Sequence, residues 1–119
     1  MKKECGVRNA VNFLGKRWTL LILLELYKGK QEWKRFSLIK RNLDNITSKI
    51  LSLRLKELEK ENLIEKRVNI AESPIKSEYK LTGAGKDFIR IIKSIKRWSL
   101  IWKKKNRICE EINCKDCEF

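Results

Sequence analysis

The hydrophobic period of this 119-residue chain switches from helical to strand-like between residues 46 and 82, and that switch limits the folds open to it. From Ile46 to Glu61 the spacing is helical. Leu51, Leu55 and Leu58 share one face of a 3.6-residue wheel, while Lys49, Ser52, Leu53 and Lys56 share the other. Thr47 and Ser48 carry hydroxyls suited to accept a backbone N–H at the helix start. Past Glu61 and Asn62 the period falls to two. Ile64, Val68 and Ile70 mostly alternate with polar neighbours, and Ala71-Glu72-Ser73-Pro74 turns the chain at its single proline. Tyr79 and Leu81 then lie on one side of the returning run. Two alternating runs about such a turn predict a β-hairpin.

Upstream, Val7, Ala10, Val11 and Leu14 predict a short first helix that Gly15 can end. Trp18 to Leu26 is apolar on every side, which predicts a buried central helix. Gln31 to Lys34 reads as an edge strand or an exposed linker. Phe36, Ile39 and Leu43 mark a third short helix, and Leu43-Asp44-Asn45-Ile46 a turn. Two helices joined by a tight turn, the second capped and polar outside, form a helix-turn-helix. Followed directly by a hairpin, they form a winged helix. The expected class is mainly α with a small β-hairpin wing.

Thr82-Gly83-Ala84-Gly85 begins the last long helix. Phe88, Ile91, Ile95, Trp98 and Trp102 are spaced three, four, three and four apart, a heptad seam that Ile92 and Ile101 widen. The seam is about 22 Å long at ~1.5 Å per residue. A domain this small has no helix left to cover it, so the expectation is a homodimer joined through terminal helices. Residues 1–108 are expected to form one DNA-binding and dimerising domain, with 109–119 an acidic cysteine-rich tail.

Charge narrows the partner. The net charge of +14 favours a polyanion. Residues 83–108 hold nine Lys/Arg against Asp87 alone, whereas 109–119 hold four acids against Lys115. The chain has no histidine, which removes His-based acid–base and triad chemistry. It also lacks a phosphate-binding glycine loop, so no enzyme is expected. No apolar run reaches the length of a membrane span and no secretion signal opens the chain, which predicts a cytoplasmic protein.

The four cysteines are Cys5, Cys109, Cys114 and Cys117. Cys109-x4-Cys114-x2-Cys117, completed by Cys5, has the thiols for a four-thiolate zinc site, and its spacing also occurs around iron–sulfur clusters. Cys114 and Cys117 equally suit a redox pair. Metal or cluster, redox thiols and no role all remain open. Cys109 continues the heptad phase from Trp102.

The motifs together resemble the HxlR family of transcriptional regulators, a MarR-like winged helix-turn-helix branch. Its counterparts here run in order: Cys5; Gly15, Arg17 and Trp18; Arg35 and Phe36; Ile46 and Thr47; Leu51, Arg54, Leu55, Leu58 and Glu59; Leu63, Ile64 and Arg67; Pro74; Glu78, Tyr79, Leu81, Thr82 and Gly85. The match ends near Trp98. Lys16 and Arg17 depart from a Gly-Lys pair, Leu38 from a glutamate, and Asn62 from a glycine.

The resemblance implies a sequence-specific regulator bound to a palindromic operator as a dimer. Lys49, Ser52, Leu53 and Lys56 would then face base edges. Thr47 and Ser48 would meet a phosphate, Arg35 the backbone beside it, and Lys76 the minor groove. Arg54 and Arg67 are expected instead to pair with neighbouring glutamates. The resemblance also favours redox or electrophile sensing at Cys5. The competing reading is a winged-helix module of the transcription or translation machinery that contacts protein or RNA.

Overall fold

The structure, a computed structural model, describes residues 5–71, 76–103 and 107–117. The elements follow as α1 (Gly6–Leu14), α2 (Thr19–Tyr27), β1 (Lys34–Arg35), α3 (Phe36–Asn42), α4 (Ser48–Lys60), β2 (Ile64–Asn69), β3 (Lys76–Leu81), α5 (Gly83–Trp102) and α6 (Arg107–Glu111). A single 3-10 turn, Cys114–Asp116, follows α6. No helix among the described residues is long and apolar enough to cross a membrane.

The leucine face of α4 is buried as its spacing requires: Leu51, Leu55 and Leu58 are each at most 1% exposed. Each such burial is worth about 1.5–3 kcal/mol. They pack with Ile22, Leu23 and Leu26 of α2, Ile39 of α3, Tyr79 and Leu81 of β3, and Ile89 and Ile92 of α5. Thr47 is the N-cap of α4, its Oγ1 accepting from Ile50 N at 3.1 Å. Ser48 is the first helical residue.

The hairpin is antiparallel, with Ile64 opposite Leu81 and Asn69 opposite Lys76. Its turn at Pro74 lies outside the described residues. Val68 and Ile70 are exposed because the outer half of the wing projects past the core. Of Gln31–Lys34, read as an edge strand or a linker, only Lys34 is strand, and β1 is the two-residue edge strand Lys34–Arg35. Lys34 and Arg35 pair with Tyr79 and Glu78, which makes β3 the middle strand of a three-stranded sheet. Lys34 is buried, and its Nζ donates to the carbonyls of Glu25, Leu26 and Lys28, closing the C-terminal end of α2. Burial pushes that ammonium down to about 8.

The join between wing and α5 is tight. Asn62 adopts the left-handed conformation, as its place at the strand entry suggested. Thr82 Oγ1 donates to Asn62 O at 2.7 Å and accepts from Gly85 N at 3.1 Å, capping α5. A Cβ on Gly85 would lie 2.2 Å from Leu63 O, so only glycine lets the helix approach the strand this closely.

Three expectations need correction. The central helix α2 is not enclosed on every side, because Leu21 is 50% exposed. On α5, Ile92 turns inward to the core and so does not widen an outer seam, while Phe88 is partly buried against that core. Ile91, Ile95, Trp98, Ile101 and Trp102 remain exposed. Finally, the heptad phase does not run on to Cys109. Helix α5 ends at Trp102, with Lys103 leaving helical geometry, and α6 is a separate helix.

Candidate nucleic-acid interface

The outer face of α4 is open as its sequence implied. Lys49 and Lys56 are exposed, Leu53 is exposed at 45%, and Ser52 is partly covered. Thr47 and Ser48, at the exposed helix start, lie where backbone N–H groups and the positive end of the helix dipole favour an anion.

Ser52 also faces a groove of about 430 Å³ shared with Arg35 and Phe36 at the α3 start, Lys66 and Tyr79 in the wing stem, and Lys76 at the base of β3. Three residues selected from separate parts of the chain, Arg35, Ser52 and Lys76, are thus brought to one surface. Lys66 was missed. It alternates outward in β2, 6.0 Å from the Tyr79 ring, and only the register with β3 shows that it faces this groove.

The remaining cations near the helix are sorted by their partners. Arg54 Nε donates to Arg17 O at 3.1 Å and its Nη1 to Glu57 at 3.2 Å. Lys16 pairs with Glu57 at 2.5 Å. Together these hold the Glu57 carboxyl below its usual range, the Lys16 hydrogen bond contributing most. Arg67 pairs with Glu78 at 2.8 Å and stacks 4.3 Å from the Trp33 ring. Arg54 and Arg67 therefore serve the scaffold, as expected. Lys49 and Lys56 have no ion-pair partner among the described residues, so their charge is uncompensated on the open face.

The cysteines divide into two groups. Cys5 is exposed and caps α1, its Sγ accepting from Arg8 N at 3.5 Å. Cys109, Cys114 and Cys117 all line one cavity between the tail, α2 and α5. Among the described residues no three Cys, Asp or Glu side chains stand close enough to hold a metal ion. A four-thiolate centre is therefore not assembled by the described part of a single chain: Cys5 is committed to the exposed start of α1, and Cys114 is packed inward.

A helix-turn-helix with a capped, open second helix and a β wing beside it has the layout of winged-helix transcriptional regulators. The chain belongs to the HxlR-like helix-turn-helix family, which matches residues 13–107. It is similar to the HTH-type transcriptional regulator YvaP of Bacillus subtilis (strain 168), with 43% identity over 93 residues that cover 78% of this chain and 82% of YvaP. Among solved structures it is similar to a MarR-family regulator of Porphyromonas gingivalis W83, with a TM-score of 0.73 and 32% identity over 82% of this chain and 92% of that one. The reduced form of YodB from Bacillus subtilis gives a TM-score of 0.71 and 33% identity over 86% of this chain and 97% of YodB. The protein is a transcriptional regulator, and its family implies DNA binding. It is not an enzyme.

Proposed function

We propose that the protein acts as a homodimer on a palindromic operator in the cytoplasm, residues 1–108 forming the DNA-binding and dimerising unit. In this reading the two α4 helices enter successive major grooves ~34 Å apart. The convergence of Arg35, Ser52 and Lys76 on one groove beside the outer face of α4 carries the reading. Lys49, Ser52, Leu53 and Lys56 then read base edges, Thr47, Ser48 and Arg35 hold phosphates, and Lys76 follows the minor groove. Lys66 joins the phosphate contacts.

Dimerisation rests on Ile91, Ile95, Trp98 and Trp102, with Val7 and Val11 of α1 also exposed. An exposed apolar set of this size suits a second copy. A redox response at Cys5 is supported by its exposure, and by the relative YodB, which is known in reduced and diamide-treated forms.

Selection of bound sequences from random DNA tests the reading. A palindrome with half-sites one helical turn apart is expected. Weak, strongly salt-dependent binding with no sequence preference would favour the protein- or RNA-contacting module instead.

A further inference from the structure

The tail is not an appendage. Lys115 O accepts from Gly29 N at 2.8 Å, and Lys115 Nζ donates to Tyr27 O at 3.0 Å. Lys96 Nζ donates to Ile112 O at 2.8 Å, and Cys114 is 9% exposed. These contacts hold the tail over α2 and α5 and leave beneath it a cavity of about 600 Å³. That volume falls within the ~300–1,000 Å³ of small-molecule sites. Leu24, Ile92 and Leu100 line it from the two helices, and Cys109, Cys114 and Cys117 from the tail. All three thiols lie beyond the residues that the family matches.

We propose that this cavity is a binding site for a small, uncharged aromatic molecule. Its wall is mostly hydrocarbon and thiol, with Glu25, Lys28, Asn42, Lys96 and Ser99 completing the lining. The ionic groups at its edge are already engaged: Glu25 with Asn42 at 2.7 Å and with Lys28 at 3.8 Å, and Lys96 with Ile112 O. A charged ligand would lose its water and have to compete with these partners for the ionic groups. An aromatic ring instead meets apolar side chains and polarisable sulfur. Leu21 and Ile95, half exposed, line the same cavity, so an occupant also touches the apolar surface assigned to the partner copy.

Naphthalene is a suitable probe of the reduced, full-length protein. It is expected to bind once per chain in a calorimetric titration. It should also slow carbamidomethylation of Cys109 and Cys114 several-fold while leaving Cys5 unaffected, read by peptide mass spectrometry. Leu24→Trp, or Leu100→Phe if the first variant melts early, should fill the cavity and remove both effects with the fold intact by circular dichroism. Three results overturn the proposal: no binding to wild type, undiminished binding to both variants, or binding that appears only in monomeric Trp98→Glu protein. The last would mean that the partner copy fills the cavity. None of these readouts involves DNA, so the operator reading stands or falls separately.

Discussion

Arg54, in the middle of α4, donates from its Nε to the backbone oxygen of Arg17 at 3.1 Å. The acceptor lies in the turn between α1 and α2, next to Trp18, whose φ of 80° is left-handed and disfavoured for a bulky side chain. One helix thus offers lysines to solvent from its outer face, while its flank is fastened to the segment leading from α1. A polar substitution there has a consequence distinct from one on the outer face.

Arg54→Ala should lower stability by about 1.5–3 kcal/mol, the usual worth of hydrogen bonds to a charged donor. Urea denaturation checks this. Arg54→Lys should recover little of the loss, because a single ammonium cannot serve Arg17 O and Glu57 in the same planar geometry. Full stability in Arg54→Ala would show that the turn is held by other contacts.

Lys49→Ala combined with Lys56→Ala should weaken operator binding by about 1–3 kcal/mol per contact, enough to abolish a gel shift at moderate salt. Light scattering should show an unchanged dimer. Intact binding would remove the outer face of α4 from the interface.

Trp98→Glu places a charge in the centre of the exposed row on α5 and should yield a monomer by light scattering. The helix itself should persist, because Ile89 and Ile92 on the opposite face, 3% and 7% exposed, remain packed. A dimer of unchanged affinity would move the interface elsewhere.

Gly85→Ala should destabilise the fold by about 1–3 kcal/mol, typical of overpacking against a neighbour that cannot yield. The neighbour is the backbone oxygen of Leu63, 2.2 Å from the added carbon. An unchanged midpoint in urea would mean that strand and helix separate readily.

Acid should weaken the link between α4 and the α1–α2 turn. The folded-state carboxyl of Glu57 lies below its usual 4.5, owing first to the Lys16 hydrogen bond. A depressed folded value means that the unfolded chain binds the proton more readily. The stabilisation is therefore complete above the ordinary value and is lost as pH falls through the folded one. The difference in melting temperature between wild type and Glu57→Gln should shrink as pH falls from above the ordinary 4.5 through the lower folded value. A constant difference would show that the pair contributes nothing.

Local periodicity settled a good deal. The leucine spacing on α4, the capping hydroxyl of Thr47 and the alternation in the wing each depend on residues a few positions apart. They were legible for that reason, and with them the winged helix and the open face carrying Lys49 and Lys56. The pairing of Arg54 and Arg67 with glutamates was legible too, since opposite charges stood near in sequence or in register.

What only tertiary structure decided depends on distance along the chain. Lys66 joins Arg35, Ser52 and Lys76 because β3 pairs on both its edges, and no local pattern encodes that neighbour. Ile92 lies between the exposed Ile91 and Ile95 of the seam yet turns inward, because that side of α5 packs on α2 and β3. The tail appeared to be a separate acidic segment continuing a helix. Instead the helix ends at Trp102, and Lys115 brings three thiols over α2, its carbonyl accepting from Gly29 N and its ammonium donating to Tyr27 O. Sequence spacing determined which faces were apolar; packing decided which of them the chain covers itself.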